Sequence, residues 1–222
     1  MKHYYPNFDE FKRLNQQGNT IPVYRQLFAD ALTPVTAYRR LADPSAHGRT
    51  SSSFLLESVV GGEQIARYSF VGVDPEITFT AYRDDITIKR KDRDDENITS
   101  HDPLSELHKL ISDYHAVRMP GLPRFTGGLA GYAGYDMVRY YENIGEGPTD
   151  DRKLPDLSFG LYRTMVIFDH VSKTIKVVAN AHVADDPREA YDKACESIER
   201  TIAKLCDDNN GHPVDEINLD GL

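Results

Sequence analysis

The chain has no tryptophan, only two cysteines and few consecutive apolar residues. Each shortage excludes something. Without tryptophan the protein has no indole emission of its own. Cys195 and Cys206 fall on one predicted helix, where eleven residues at about 1.5 Å each set them about 16 Å apart, beyond disulfide reach. That points to a reducing compartment. No window approaches the roughly 18 apolar residues of a membrane helix, and the opening "MKHYYPNFDEF" lacks the apolar core of a signal peptide. A cytoplasmic location is expected. Positive charge is also short: 26 Lys and Arg stand against 35 Asp and Glu, a net charge of −9. Such a balance disfavours nucleic acid or an anionic membrane as partner. The one basic run, Lys89-Arg90-Lys91, leads straight into "DRDDE" and reads as a solvated hairpin end.

Familiar chemical motifs are missing as well. There is no G-x-S-x-G elbow and no cysteine pair at metal spacing. His101, His108 and His115 recur every seven residues, but on the predicted helix His108 and His115 stand about 10.5 Å apart along the axis, too far to share an ion. They read as helix-face histidines. No catalytic residue and no metal ligand is expected from this chain. In "GGLAGYAGYD" the glycines at 128, 131 and 134 match neither G-x-G-x-x-G nor the P-loop. The stretch reads as a strand whose small residues let another backbone approach closely.

What is present is a soluble globular composition, 40% hydrophobic and 27% charged over 222 residues, enough for a self-sufficient core. Helices are predicted from Asn7 as cap with Glu10 three residues on, from Thr33-Pro34, from Asp102-Pro103 through "LSELHKLISDYHAV", as a short "MVRYYE", and from about Pro187 to Cys206. Strands are predicted at "IPVYRQLF", at about 53–60, 64–73, 76–82 and 85–90, and near 159–169 and 173–183. Short turns dominate and a regular βαβ alternation is missing. The fold class is therefore α+β: mainly antiparallel sheets with interspersed helices. Residues 1–206 form the domain, and the polar 207–222 reads as a linker or tail.

The stretch "SSSFLLESVVGGEQIARYSFVGVDPEI" stands out. Two apolar runs flank Gly61-Gly62, and each carries a charge, Glu57 and Arg67. Strand alternation allows the two to approach on one face. They form either an ordinary cross-strand ion pair, worth about 0.2–1 kcal/mol, or part of a site for a zwitterion.

These residues also resemble a family. "LLES" (Leu55 to Ser58), "RYSF" (Arg67 to Phe70), "IPVYRQLFADALTPVTAYRRL" and "GGLAGYAGYDMVRYYE" are similar, in the same order, to the N-terminal portion of anthranilate synthase component I. The "RYSF" and glycine-rich parts also resemble aminodeoxychorismate synthase component I, which is the alternative, beside a purely structural docking module. The resemblance implies an enzyme that makes anthranilate from chorismate, with Mg2+ and with ammonia from a glutamine amidotransferase component II. It also implies an L-tryptophan feedback site on the "LLES" segment. Leu56, Glu57, Ser58, Arg67, Tyr68 and Ser69 would contact the effector, with Pro22 nearby. The family's chorismate-binding half, which carries its catalytic and Mg2+-binding residues, would follow this region, whereas the sequence stops at Leu222. The expectation is either a piece cut from a longer protein or a separately encoded regulatory half, with no cofactor of its own and no activity alone.

Overall fold

A computed structural model describes residues 3–28, 32–42, 52–57, 67–145, 147 and 149–207. Gly61-Gly62, Ser58 and most of the 207–222 tail lie outside them.

Helix starts follow their capping residues. Asn7 accepts from the Glu10 amide at the head of α1 (Phe8–Leu14), and Thr33 accepts from Thr36 at the head of α2 (Pro34–Leu41). Asp102 and Asp186 do the same for α3 (Pro103–Ile111) and α4 (Pro187–Leu205), each with proline in the first turn. The α3 helix stops at Ile111, short of the expected Tyr114 and His115. The next segment leaves the helix because its backbone is claimed elsewhere: His115 N–H donates to Asn19 Oδ1, and the Thr20 and Val117 amides complete a bridge between the two segments. His108 and His115 therefore do not share a helix. The "MVRYYE" turn is a 3-10 helix, Tyr135–Tyr140.

Among the described residues, ten strands form two five-stranded antiparallel sheets. The first has the order β1-β10-β9-β3-β2, with β1 (Thr20–Phe28), β2 (Ser53–Leu56), β3 (Tyr68–Val73), β9 (Thr164–Asp169) and β10 (Thr174–His182). The second has the order β6-β5-β4-β8-β7, with β4 (Ile77–Tyr82), β5 (Asp85–Arg90), β6 (Arg93–Thr99), β7 (Gly128–Ala133) and β8 (Leu157–Tyr162). The α+β expectation holds. Two strand assignments change. Residues 159–169 are not one strand, because the chain breaks at Arg163 and passes from the second sheet to the first. It makes the reverse passage at Asp74-Pro75, where Asp74 has φ 54°. The two crossings lie side by side: the Glu76 amide donates to Leu161 O, and Glu76 pairs with Arg163. The second change is β6. The acidic "RDDENIT" is an exposed edge strand held by cross-strand pairs such as Lys89–Asp95 and Arg90–Glu96. Charges along an edge block further pairing.

Alternation places the core. Val71, Val166, Phe168, Val177 and Ile21 turn one face of the first sheet toward Phe11 of α1, Leu41 of α2 and Ile198 of α4. Burying each such side chain stabilises the fold by about 1.5–3 kcal/mol. The second sheet packs Phe79, Ile86, Ile88 and Leu157 around Leu107 of α3. The other face of the first sheet carries a smaller cluster of Met165, Ile167, Val178 and Tyr162, flanked by Phe54, Tyr68, Phe70 and Phe125.

Candidate functional site

The register of β2 on β3 pairs Ser53 with Val73, Phe54 with Gly72, Leu55 with Val71 and Leu56 with Phe70. Phe54 and Leu56 therefore share a face with Phe70 and Tyr68. Leu55 points to the helix-covered core, and Glu57, just past the strand, continues that opposite side. Gly72 is required: a Cβ there would sit 2.3 Å from the Phe54 ring. With no side chain below it, the Phe54 ring lies across β3 and meets Tyr162 edge-on at 4.8 Å, while Phe125 contacts Phe70 at 5.5 Å. The result is an aromatic surface beside the end of β2, with Leu56 itself 52% exposed.

A polar knot closes the other side of β3. Arg67 Nε donates to Asp169 Oδ1 at 3.1 Å, and Nη2 donates to Oδ2 at 2.8 Å. Asp169 is 3% exposed, and its carboxylate also accepts from the Val171 and Ser172 amides. Burial pushes its pKa up, but the Arg67 and Ser172 hydrogen bonds outweigh burial and hold it at about 2. The Lys176 ammonium, also buried, lies 3.9 Å away. The Arg67 guanidinium stacks 4.9 Å over the Tyr68 ring. Ser69 is fully buried, with its hydroxyl 2.7 Å from His170 Nε2. Burial, then the Asp169 charge, push the Tyr68 phenol up.

The expected residues are brought together only in part. Arg67 does not pair with Glu57. Its two-pronged partner is Asp169, which sits 102 residues away in sequence and is fixed beside it by the β3–β9 ladder. Glu57 is exposed and makes no hydrogen bond or ion pair among the described residues. Leu56 and Tyr68 share the aromatic face. Ser69 faces the opposite side and is closed off by His170. Pro22 lies on β1 opposite Asn180, at the far edge of the sheet. Four strand spacings of about 4.8 Å put it about 19 Å from β2. Ser58 lies outside the described residues. Sequence reading missed Asp169 and His170, because "DHVSK" reads as a turn, and Lys176, which sits inside the apolar strand "TIKVVANAH". The available signal was the carboxylate ending the apolar run "MVIFD".

Among the described residues no three His, Cys, Asp or Glu side chains converge in a way that could hold a metal ion. No helix among them is long and apolar enough to cross a membrane.

Residues 15–219 match the family described as chorismate binding enzyme, and the chain belongs to that family. It is 32% identical over 204 residues to anthranilate synthase component 1 of Acetivibrio thermocellus, covering 92% of this chain and 40% of that protein. Against the same component of Acinetobacter calcoaceticus it is 37% identical over 206 residues, covering 87% and 39%. The crystal structure of anthranilate synthase component I from Streptococcus pneumoniae aligns with a TM-score of 0.50 and 28% identity, over 81% of this chain and 36% of that one. The chain thus spans about two fifths of the relatives it matches.

Proposed function

From membership of the chorismate binding enzyme family, we propose that this chain is the N-terminal regulatory portion of an anthranilate synthase component I. In the whole enzyme, chorismate and ammonia yield anthranilate for tryptophan synthesis. A glutamine amidotransferase component supplies the ammonia, in the cytoplasm. The relatives' name, component 1, supports a second component. The chain alone is expected not to turn over chorismate, since relatives extend well beyond the part it aligns with. Mg2+ belongs to the whole enzyme in this reading, since no three His, Cys, Asp or Glu side chains converge among the described residues.

The observation that carries the regulatory reading is the exposed Glu57 carboxylate at the end of β2, without a partner among the described residues and on the same side of the sheet as Arg67. L-tryptophan needs an anion for its ammonium, a donor for its carboxylate and an apolar wall for its indole. Glu57 offers the first. Arg67 Nη1, which has no hydrogen bond among the described residues, offers the second. Tyr68, whose ring lies under the Arg67 guanidinium at the strand end, offers the third, with Leu56 and Phe70 on the opposite face of the sheet and Ser58 next to Glu57 in sequence. Asp169 holds the Arg67 fork in place, and Ser69 with His170 supports the strand beneath it. Pro22 is too distant to join. The docking-module alternative draws on the Arg67–Asp169 pair, which would leave Arg67 a purely structural residue. Calorimetry with L-tryptophan, D-tryptophan and L-phenylalanine separates the readings. The regulatory site requires L-tryptophan to bind at least about tenfold more tightly than the other two. Equal binding of the enantiomers would refute it.

A further inference from the structure

A groove of about 650 Å3 opens between α4 and the first sheet, at the end of β3 away from the hairpin. Tyr68 and Val73 mark the two ends of that strand, about 16 Å apart at 3.3 Å per residue. The floor is apolar: Val73 and Ala190 are partly exposed there, over the buried Leu41, Val71, Val166 and Ala181 of the core. The rim is cationic: Lys91, Arg163, Lys193, Arg200 and Lys204 stand against Asp74, Glu76 and Glu196, in a chain of net charge −9.

Several of these cations keep free donors. Lys91 is taken by Asp74 at 2.6 Å, and Lys193 by Glu189 at 2.7 Å. Arg163 lies against Glu76 through Nε, and among the described residues its two terminal nitrogens make no hydrogen bond. Among the described residues Arg200 uses only Nη2, toward Ser197 Oγ at 3.0 Å. Lys204 pairs with nothing among the described residues. Residues 197, 200, 201 and 204 share one face of α4 and line the groove together with Arg163. His182 on the same wall has its pKa lowered by burial and then by Arg163, consistent with a positive potential there.

We propose that this groove is a second ligand site, for a small carboxylate carried on an apolar ring. Arg163, Arg200 and Lys204 would receive the carboxylate, and the valine floor would receive the ring. A guanidinium with vacant N–H groups beside an ammonium suits an oxygen anion, and an apolar floor favours an organic anion over a hydrated inorganic one. The site lies on the helix-covered side of the sheet and shares no residue with the tryptophan site proposed at Leu56–Ser58 and Arg67–Tyr68, so it stands or falls independently of tryptophan binding.

The test is a titration of the 15N-labelled full chain with benzoate, benzamide and inorganic phosphate, followed by amide shifts. Benzoate is expected to give saturable shifts at 164–166, 179–182 and 197–204. Benzamide and phosphate should each bind at least about tenfold more weakly. Lys204→Met, which keeps the aliphatic stem, should weaken benzoate several-fold, and Lys204→Arg should restore it. The double variant Arg200→Gln/Lys204→Met should lose the shifts while keeping the wild-type amide pattern elsewhere. Equal binding of benzamide or of phosphate would overturn the proposal. So would undiminished benzoate affinity in Lys204→Met, or benzoate shifts confined to other surfaces.

Discussion

Arg67→Ala removes both guanidinium hydrogen bonds to a carboxylate that is 3% exposed. Truncating one partner of a fully buried pair costs about 3–5 kcal/mol. Here the Arg67 side chain is 42% exposed, and Lys176 and two backbone amides remain on the carboxylate, so the expected loss is about 2 kcal/mol. With a urea slope of about 2 kcal/mol/M, the unfolding midpoint should fall by about 1 M. The pH dependence carries the same signature. Asp169 titrates at about 2 in the folded chain against an ordinary 3.8. Between those values the unfolded state binds more protons, so stability falls as pH drops from about 4 toward 2. After discounting for the exposure of Arg67, the loss over that window is about 1–2 kcal/mol. Arg67→Ala should flatten this limb, and Asp169→Asn should abolish it. A double-mutant cycle should return a coupling of about 1–2 kcal/mol. A stability at pH 7 within about 0.3 kcal/mol of wild type, with an unchanged acid limb, would refute the reasoning.

Two further outcomes follow from packing. A side chain at Gly131 would begin 2.0 Å from Ser158 O and 2.6 Å from Phe159 Cα. Gly131→Val should therefore cost about 2–3 kcal/mol and release the β7 amides to hydrogen exchange before the rest of the second sheet; exchange in step with the other strands would count against it. Burial pushes the Cys195 thiol up to about 11, while Cys206 is exposed. At pH 8 a thiol reagent should modify Cys206 first and Cys195 only slowly, and equal rates would contradict the packing of α4.

The helices were legible because their signals are local. Asn7, Thr33-Pro34 and Asp102-Pro103 each announce a helix start within four residues, and each is found capping. The hairpin strands were legible from alternation. The rest depends on partners distant in sequence. Only Arg163-Thr164 interrupts the mostly apolar "LSFGLYRTMVIFD", and a charge inside a strand does not by itself mark a break between β8 and β9, since either sheet could bury the flanking residues. The charges of "RDDENIT" hid β6, because an edge strand needs no apolar face. The end of α3 is set by the Asn19 side chain, a contact 96 residues away. At the site, the shared parity of Glu57 and Arg67 was readable, but Asp169 reaches Arg67 only through the order of strands in the sheet. The position of Pro22 on the far edge follows from the same order.

The central claim is that the end of β2 holds the tryptophan effector through Glu57. Because the chain contains no tryptophan, dilute L-tryptophan excited at the red edge of its absorption reports its own binding. The measurement is its emission wavelength and anisotropy as the full chain is added, for wild type and Glu57→Gln. A saturable blue shift with raised anisotropy, weakened about tenfold or more in Glu57→Gln by loss of a charged hydrogen bond, is the predicted result. A flat titration, or a shift that Glu57→Gln leaves unchanged, would contradict the account.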